Sequence, residues 1–345
     1  MTTSHKTQSG KEKSNSAFGW SKLQIGLTAG AAALAGAAVF NTVRAKRTER
    51  EHPPRGQMLR VDGVDLHYVD SGTPGPTVVL LHGNGTTLED WFASTVFQKL
   101  SETARVIVFD RPGFGYSSRP RTTIWNPPAQ ANLIALALAS LGADHVTVVG
   151  HSFATQVTVA LASQHPELVE SIVLMSGYYY PSLRADVVVG AVPAVPIVGD
   201  IDRYSMAPLF GQAMQPLVEA KLFDPAPVAP DWQDFPFAMT LRPSQLRASA
   251  AEAALMVPSA AGLAPRYASL ALPVTVVSGE GDRIVDHTSQ SARLASEVPQ
   301  AKLITIGGVG HMVHYSATER VVQAIEQALQ QRPAIEEPVA ETSIG

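Results

Sequence analysis

The residues with the clearest chemical potential centre on a serine at a predicted turn. The stretch Gly150-His151-Ser152-Phe153-Ala154 follows a short β-branched run and precedes a helix-like one. This strand–turn–helix context presents a serine hydroxyl above a parallel sheet, and the tight turn requires small flanking residues. Ala154 stands where glycine usually ends the motif. The pattern predicts a nucleophile only if a base and an acid accompany it.

Candidates for both partners follow the serine in the chain. A serine hydroxyl is a weak nucleophile unless a base removes its proton and a third group orients that base. Asp282 and His311 each lie in a loop just beyond a predicted strand. Loops after parallel strands share one edge of the sheet, so these side chains can converge with the serine. Glu280 and Asp286 are alternatives for the acid, and His314 is the alternative for the base.

Such a site also needs hydrogen-bond donors for the oxyanion and a pocket for the substrate. The flexible segment His82-Gly83-Asn84-Gly85 follows an early strand, so the backbone amides of Asn84 and Phe153 are predicted to form an oxyanion hole. His151 and Tyr178 are candidates for substrate binding, although packing roles would explain them equally well. No spacing typical of a metal site is present, and neither a metal nor a cofactor is expected.

The elements that must position these groups alternate between strands and helices. Strands are predicted over 76–81, 105–110, 146–150, 171–175, 274–277 and 301–306, with an earlier hairpin over 59–69 and a closing helix over 318–331. This alternation predicts an α/β fold with a doubly wound, mostly parallel sheet. The proline-rich interval of about 178–272 interrupts the alternation and is predicted to be an inserted helical lid.

Taken together, these motifs resemble those of the α/β-hydrolase superfamily, in its lidded group. The resemblance runs from Met58 to Gln331 and rests on the segments at His82–Asn84, Asp110–Ser117 and Gly150–Ala154 and on the later acid and base. It implies that the serine is the nucleophile, that Asp282 orients His311 as the base, and that the Asp110–Ser117 loop is chiefly structural.

The N-terminal region differs in composition from the rest. Residues 1–22 are polar and are expected to be a disordered tail, as are residues 333–345. Leu23–Val43 carries no charge and has the length of a membrane-spanning helix, whereas a cleaved signal peptide and a buried core helix are the alternatives. Residues 44–57 are predicted to be a linker, and residues 58–332 the hydrolase domain. Basic residues after the span favour a cytoplasmic catalytic domain.

Composition narrows the possible functions. The chain contains no cysteine, which excludes disulfides, thiolate metal sites and a cysteine nucleophile. Residues 1–56 hold nine Lys and Arg against three Asp and Glu, whereas the remainder holds 17 against 27. A body of such negative charge is a poor partner for nucleic acid.

These observations predict a single-pass membrane serine hydrolase that cleaves a carboxylic ester or related acyl bond of a small, lipophilic substrate. Cofactor-free perhydrolysis or hydrolysis of a carbon–carbon bond on the same triad is an alternative, and a non-catalytic binding protein of this fold is another. The oligomeric state is left open.

Overall fold

A computed structural model describes residues 22–182 and 190–331. Its strands are β1 Gln57–Val61, β2 Val64–Asp70, β3 Thr77–Leu81, β4 Arg105–Phe109, β5 Val146–His151, β6 Val169–Met175, β7 Val274–Gly279 and β8 Ala301–Ile306. They form one sheet in the order β1-β2-β4-β3-β5-β6-β7-β8. Strand β2 pairs antiparallel with β1 and β4, and all other neighbours are parallel. The predicted mostly parallel α/β sheet is confirmed.

The helices of the described chain precede, separate and follow these strands. They are α1 Lys22–Glu51, α2 Glu89–Ala93, α3 Val96–Leu100, α4 Pro127–Ser140, α5 Ala154–Gln164, α6 Val198–Tyr204, α7 Ala207–Phe223, α8 Phe237–Thr240, α9 Pro243–Leu263, α10 Arg293–Glu297, α11 Val313–Ser316 and α12 Thr318–Gln330. Helix α4 begins with a cap, because the side chain of Asn126 accepts a hydrogen bond from the N–H of Ala129.

The sheet has a hydrophobic core on each face. Side chains alternate along the strands, so Val79 and Leu81 of β3 face one layer while Val78 and Leu80 face the other. The first layer contains α4 and α5, and the second contains α2, α3 and α12. Because both faces are covered, the central strands β3, β5, β6 and β7 are buried along their whole length and are mostly apolar, as expected for a parallel sheet.

Helices α6 to α9 all belong to the connection between β6 and β7. We refer to residues 176–273 as the insertion; of these, residues 183–189 lie outside the described chain. The interval overlaps the segment of about 178–272 for which the sequence predicted a helical lid.

Helix α1 corrects the expected linker. The sequence predicted a linker over residues 44–57, but α1 continues to Glu51. Residues 44–51 are mostly Arg, Lys, Ala and Glu, which favour a helix, and Arg47 pairs with Glu51 four positions on at 2.7 Å. Asn41 also holds α1 to the insertion, because it donates to the carbonyl oxygens of Tyr204 and Ser205, at 3.0 and 2.7 Å. Among the described helices, α1 has the length and composition to cross a membrane. The predicted tails lie outside the described residues, except that Lys22 begins α1.

Candidate active site

Ser152 lies at the sharp turn between β5 and α5. Its φ is +55°, a conformation that L-residues rarely adopt and that strains the backbone. Gly150 permits this turn, because a Cβ at that position would lie 2.4 Å from Oγ1 of Thr158 and 2.7 Å from the carbonyl oxygen of Ala154. Ala154 itself is fully buried in the core, so its methyl group is accommodated where glycine is usual. The result is a nucleophile-type turn with a half-buried serine.

Three side chains from separate loops meet at this turn. Nε2 of His311 lies 3.0 Å from Oγ of Ser152, and its Nδ1 lies 2.8 Å from Oδ2 of Asp282. The other oxygen of Asp282 accepts hydrogen bonds from the N–H groups of Ile284 and Val285, at 2.8 and 2.9 Å. These bonds fix the carboxylate, and the imidazole that donates Nδ1–H to it has Nε2 available for the serine proton.

The alternative acids and base have other partners. Glu280 and Asp286 are exposed, and Asp286 accepts hydrogen bonds from Ser289. His314 is fully buried, and its Nε2 lies 3.2 Å from Oδ2 of Asp90. The geometry therefore brings Asp282 and His311 to the serine and leaves the alternatives elsewhere.

The two proposed oxyanion donors flank Ser152. A Cβ on Gly83 would lie 3.2 Å from Cβ of Ser152, so the loop that carries Asn84 passes directly against the serine. Phe153 caps the N-terminus of α5, where the helix dipole favours a developing negative charge. Within residues 22–182 and 190–331, neither the backbone N–H of Asn84 nor that of Phe153 donates a hydrogen bond.

Of the two predicted substrate-binding residues, the structure places one at a cavity beside Ser152 and the other elsewhere. His151 lines a cavity beside Ser152, and its Nε2 lies 3.1 Å from the carbonyl oxygen of His311. Burial and the neighbouring imidazoles hold the pKa of His151 well below its usual range, so it is neutral. Tyr178 is not among the described residues that line this cavity. It packs with Ala260 and Val285 instead. The sequence could not distinguish the two positions, because an aromatic residue after a strand can face either a pocket or a buried cluster.

The cavity beside Ser152 has a volume of about 320 Å³. This is the volume of a small ligand site. Its polar wall comprises Asn84, Thr86, His151, Ser249 and His311, and its apolar wall comprises Val218, Leu222, Trp232, Phe235, Phe237, Ala253, Met256, Ile284 and Met312. Most of the apolar wall comes from the insertion. A wider depression of about 650 Å³ lies near the start of β5 and β7, away from these groups.

A buried charge network that sequence analysis missed supports the site. The guanidinium of Arg111 pairs with both carboxylate oxygens of Glu252 on α9, and both side chains are fully buried. Arg111 also donates to the carbonyl oxygens of His82 and Gly83, at 2.8 and 2.9 Å, and to Oε1 of Gln130 at 2.9 Å. The network thus connects the loop of Asn84 to the insertion.

His82 belongs to the same network. Its Nε2 accepts a hydrogen bond from the backbone N–H of Arg111 at 3.0 Å, and its Nδ1 donates to the carbonyl oxygen of Gly83 at 2.8 Å. Burial, followed by the charge of Arg111, lowers the pKa of His82 to about 3. This neutral ring braces the oxyanion loop, and both of its nitrogens are occupied.

Comparison with known proteins agrees with this architecture. The family described as alpha/beta hydrolase fold matches residues 76–318. The chain is 27% identical over 292 residues to 2-hydroxymuconate semialdehyde hydrolase of Pseudomonas sp. strain CF600, covering 82% of this chain and 96% of that protein.

Two solved structures share the fold. A thermophilic esterase from Thermogutta terrifontis has a TM-score of 0.64 and 23% identity, covering 80% of this chain and 98% of its own. A bacterial membrane phospholipase A has a TM-score of 0.61 and 22% identity, covering 89% and 96%. The family match spans most of the chain, and the hydrolases among its relatives agree with it. The protein therefore belongs to the α/β-hydrolase family of enzymes.

Proposed function

We propose that the protein is a serine hydrolase that cleaves a carboxylic ester or related acyl bond. The observation that carries this proposal is the hydrogen-bonded chain from Ser152 through His311 to Asp282. His311 takes the serine proton as Oγ attacks the substrate carbonyl, and Asp282 stabilises the resulting imidazolium. The amides of Asn84 and Phe153 bind the oxyanion. His311 then gives the proton to the leaving oxygen, and departure of the alcohol leaves an acyl-enzyme. The same histidine takes a proton from the water that hydrolyses this acyl-enzyme.

The cavity supports a lipophilic acyl substrate. Aromatic and aliphatic side chains form most of its wall, and Trp232 stacks on Phe235 with ring centroids 4.8 Å apart. Over the described part of the chain, the lining includes no lysine or arginine that could bind an anionic substrate. Burial of apolar surface is therefore the main source of binding energy available to a substrate here.

Helix α1 supports membrane attachment. Leu23–Val43 is uncharged, and the helix is exposed from Lys22 to Gly36. A soluble domain would bury such a stretch, so we propose a single-pass anchor, with a cleaved signal sequence as the alternative. The basic residues Arg44, Lys46, Arg47 and Arg50 at its C-terminal end favour a cytoplasmic catalytic domain.

A second candidate is hydrolysis of a carbon–carbon bond. It is favoured by the similarity to 2-hydroxymuconate semialdehyde hydrolase, and the same three residues would serve as nucleophile, base and acid. A muconate semialdehyde carries a carboxylate group, however, and the described lining offers no lysine or arginine to bind it. We therefore place the ester substrate first.

The test is labelling of the full-length protein with a fluorophosphonate, together with assays on nitrophenyl esters of increasing chain length. We expect stoichiometric labelling at Ser152 and loss of at least about 10⁴-fold in kcat for Ser152→Ala without unfolding. Ser249→Ala is the matched control, because Ser249 lines the same cavity and makes no hydrogen bond to His311.

Two outcomes would contradict the proposal. Ester turnover that persists in Ser152→Ala would remove Ser152 as the nucleophile. Labelling at Ser152 combined with turnover of 2-hydroxymuconate semialdehyde, but of no ester in the panel, would favour the second candidate.

A further inference from the structure

Exposed apolar side chains are concentrated in two segments. Of the 21 large apolar side chains exposed in the described chain, ten lie between residues 192 and 218 of the insertion and seven lie on α1. We call the first set the apolar patch. Its most exposed members include Ile197 at 73%, Phe210 at 66% and Leu217 at 64%. Patches of this kind mark a surface that contacts another protein or a membrane.

The apolar patch adjoins α1. Buried Asn41 binds the carbonyl oxygens of Tyr204 and Ser205, which lie at the end of α6. Further along, Glu49 accepts a hydrogen bond from the guanidinium of Arg242 at 2.9 Å. The end of the uncharged segment of α1 therefore lies beside the apolar patch.

The length of α1 indicates how deep this surface lies. The fifteen residues from Lys22 to Gly36 are all exposed, and contact with the body begins at Ala37. At about 1.5 Å per residue these fifteen residues span roughly 22 Å, whereas a hydrocarbon core is about 30 Å thick. A spanning helix must therefore also place part of Ala37–Val43 in the bilayer, where α1 already lies against α6.

The side chains at this level agree with that depth. Val39, Phe40 and Val43 remain 57–66% exposed although they lie beside the contact with the insertion. Of the charged groups of α6, Arg203 is buried and pairs with Asp200, which also lies 3.6 Å from the guanidinium of Arg121. Asp202 is half-buried, and burial raises the pKa of its carboxyl, which favours the neutral form. The shortfall of about 8 Å matches the depth of about 5–10 Å at which amphipathic helices lie in a membrane interface.

We propose that the apolar patch, together with Ala37–Val43, embeds in the bilayer and that the cavity beside Ser152 receives its substrate from the lipid phase. Val218 makes the connection, because it belongs to the apolar patch and also lines the cavity with Leu222. The apolar patch is thus in contact with lipid acyl chains. The substrate is an acyl lipid that enters laterally, and this second part rests on the proposed ester hydrolysis.

The absence of cysteine allows a direct test of depth in the full-length chain. Single substitutions Ile201→Cys and Phe210→Cys carry an environment-sensitive fluorophore in vesicles of phosphatidylcholine and phosphatidylglycerol that contain doxyl-labelled lipid. Leu27→Cys reports the anchor, and Leu136→Cys is the matched control because Leu136 is an exposed apolar residue of α4. We expect blue-shifted, quenched emission at positions 27, 201 and 210, and unquenched emission at 136.

Each other result has a defined meaning. Quenching at 27 with water-like emission at 201 and 210 overturns the proposal and leaves the anchor intact. Lack of quenching at all four positions refutes the anchor as well. Blue-shifted but unquenched emission at 201, with disulfide cross-linking between copies of the unlabelled Ile201→Cys variant under an added oxidant, makes the patch an interface between two chains and also overturns the proposal.

An activity assay tests the route of entry separately. We expect Ile201→Asp/Phe210→Asp to lower turnover of a long-chain ester embedded in vesicles at least tenfold and to leave turnover of soluble nitrophenyl acetate unchanged; Leu136→Asp should alter neither. Equal turnover of the embedded ester by the double variant and the parent enzyme would overturn lateral entry. If the parent enzyme hydrolyses neither ester, the proposed ester hydrolysis fails, while the depth measurement still decides the position of the patch.

Discussion

Replacing Glu252 by glutamine should destabilise the protein far more than the loss of a surface ion pair. The variant keeps the shape of the side chain but leaves the guanidinium of Arg111 fully buried without a counter-charge. Arginine does not release its proton at accessible pH, so the charge cannot be avoided. Removing one partner of a buried pair costs about 3–5 kcal/mol. For a domain of this size that corresponds to a fall in Tm of about 6–20 °C.

The converse substitution should also be costly. Arg111→Met leaves the carboxyl of Glu252 fully buried without its partner. Removing either member of a buried pair leaves an uncompensated charge, so a loss of about 3–5 kcal/mol is expected here too. The loss in Glu252→Gln should be the same at pH 5 and pH 7, because an arginine keeps its charge over this range.

The assay is urea denaturation of the detergent-solubilised full-length protein, followed by tryptophan fluorescence at pH 5 and pH 7. Arg60→Gln is the control, because Arg60 forms an exposed pair with Asp65 and should change stability by less than about 1 kcal/mol. The double variant Arg111→Met/Glu252→Leu should be more stable than the two single losses predict, since it leaves no unpaired charge. A loss in Glu252→Gln no larger than that in Arg60→Gln would refute this reasoning.

Two more outcomes follow from the site. The pKa of His82 is about 3 in the folded protein and 6.5 ordinarily, so between these values the unfolded state binds one proton more than the folded state. The free energy of unfolding should therefore fall by up to about 1.4 kcal/mol for each pH unit below 6.5. His82→Asn should weaken this slope in denaturation curves at pH 5 and 7. Gly150→Ala should abolish folded, active protein, because the new methyl group would lie 2.4 Å from Oγ1 of Thr158. Circular dichroism and ester assays that match the parent protein would contradict the close packing of β5 and α5.

Local motifs and sheet geometry account for what the sequence could predict. The order of strands and helices determined the parallel sheet, and parallel strands bring their C-terminal loops to one edge. Ser152, Asp282 and His311 each follow a strand, so their proximity could be inferred without knowing any long-range contact.

The missed features depend on contacts between distant parts of the chain. Arg111 and Glu252 are 141 positions apart, and neither stands in a pattern that identifies its partner. A glutamate on a predicted helix normally indicates a solvated face. The sequence could not place Tyr178, because an aromatic residue after a strand gives the same signal whether it faces a cavity or a core cluster. The linker over residues 44–57 was predicted too long, since α1 continues through the helix-forming residues 44–51 and contacts the insertion at Asn41 and Glu49.

The continuity of α1 has a consequence for how the enzyme would meet its substrate. A domain on a flexible linker tumbles, and its active-site mouth faces the membrane for only part of the time. In this protein the helix runs unbroken to Glu51 and is held to the insertion at Asn41 and Glu49, so no flexible segment separates the proposed anchor from the catalytic domain. In a bilayer the enzyme would keep a single pose. The rate of substrate capture would then depend on the number of substrate lipids per unit area of membrane below the cavity opening, because a rigid tether makes the encounter effectively intramolecular.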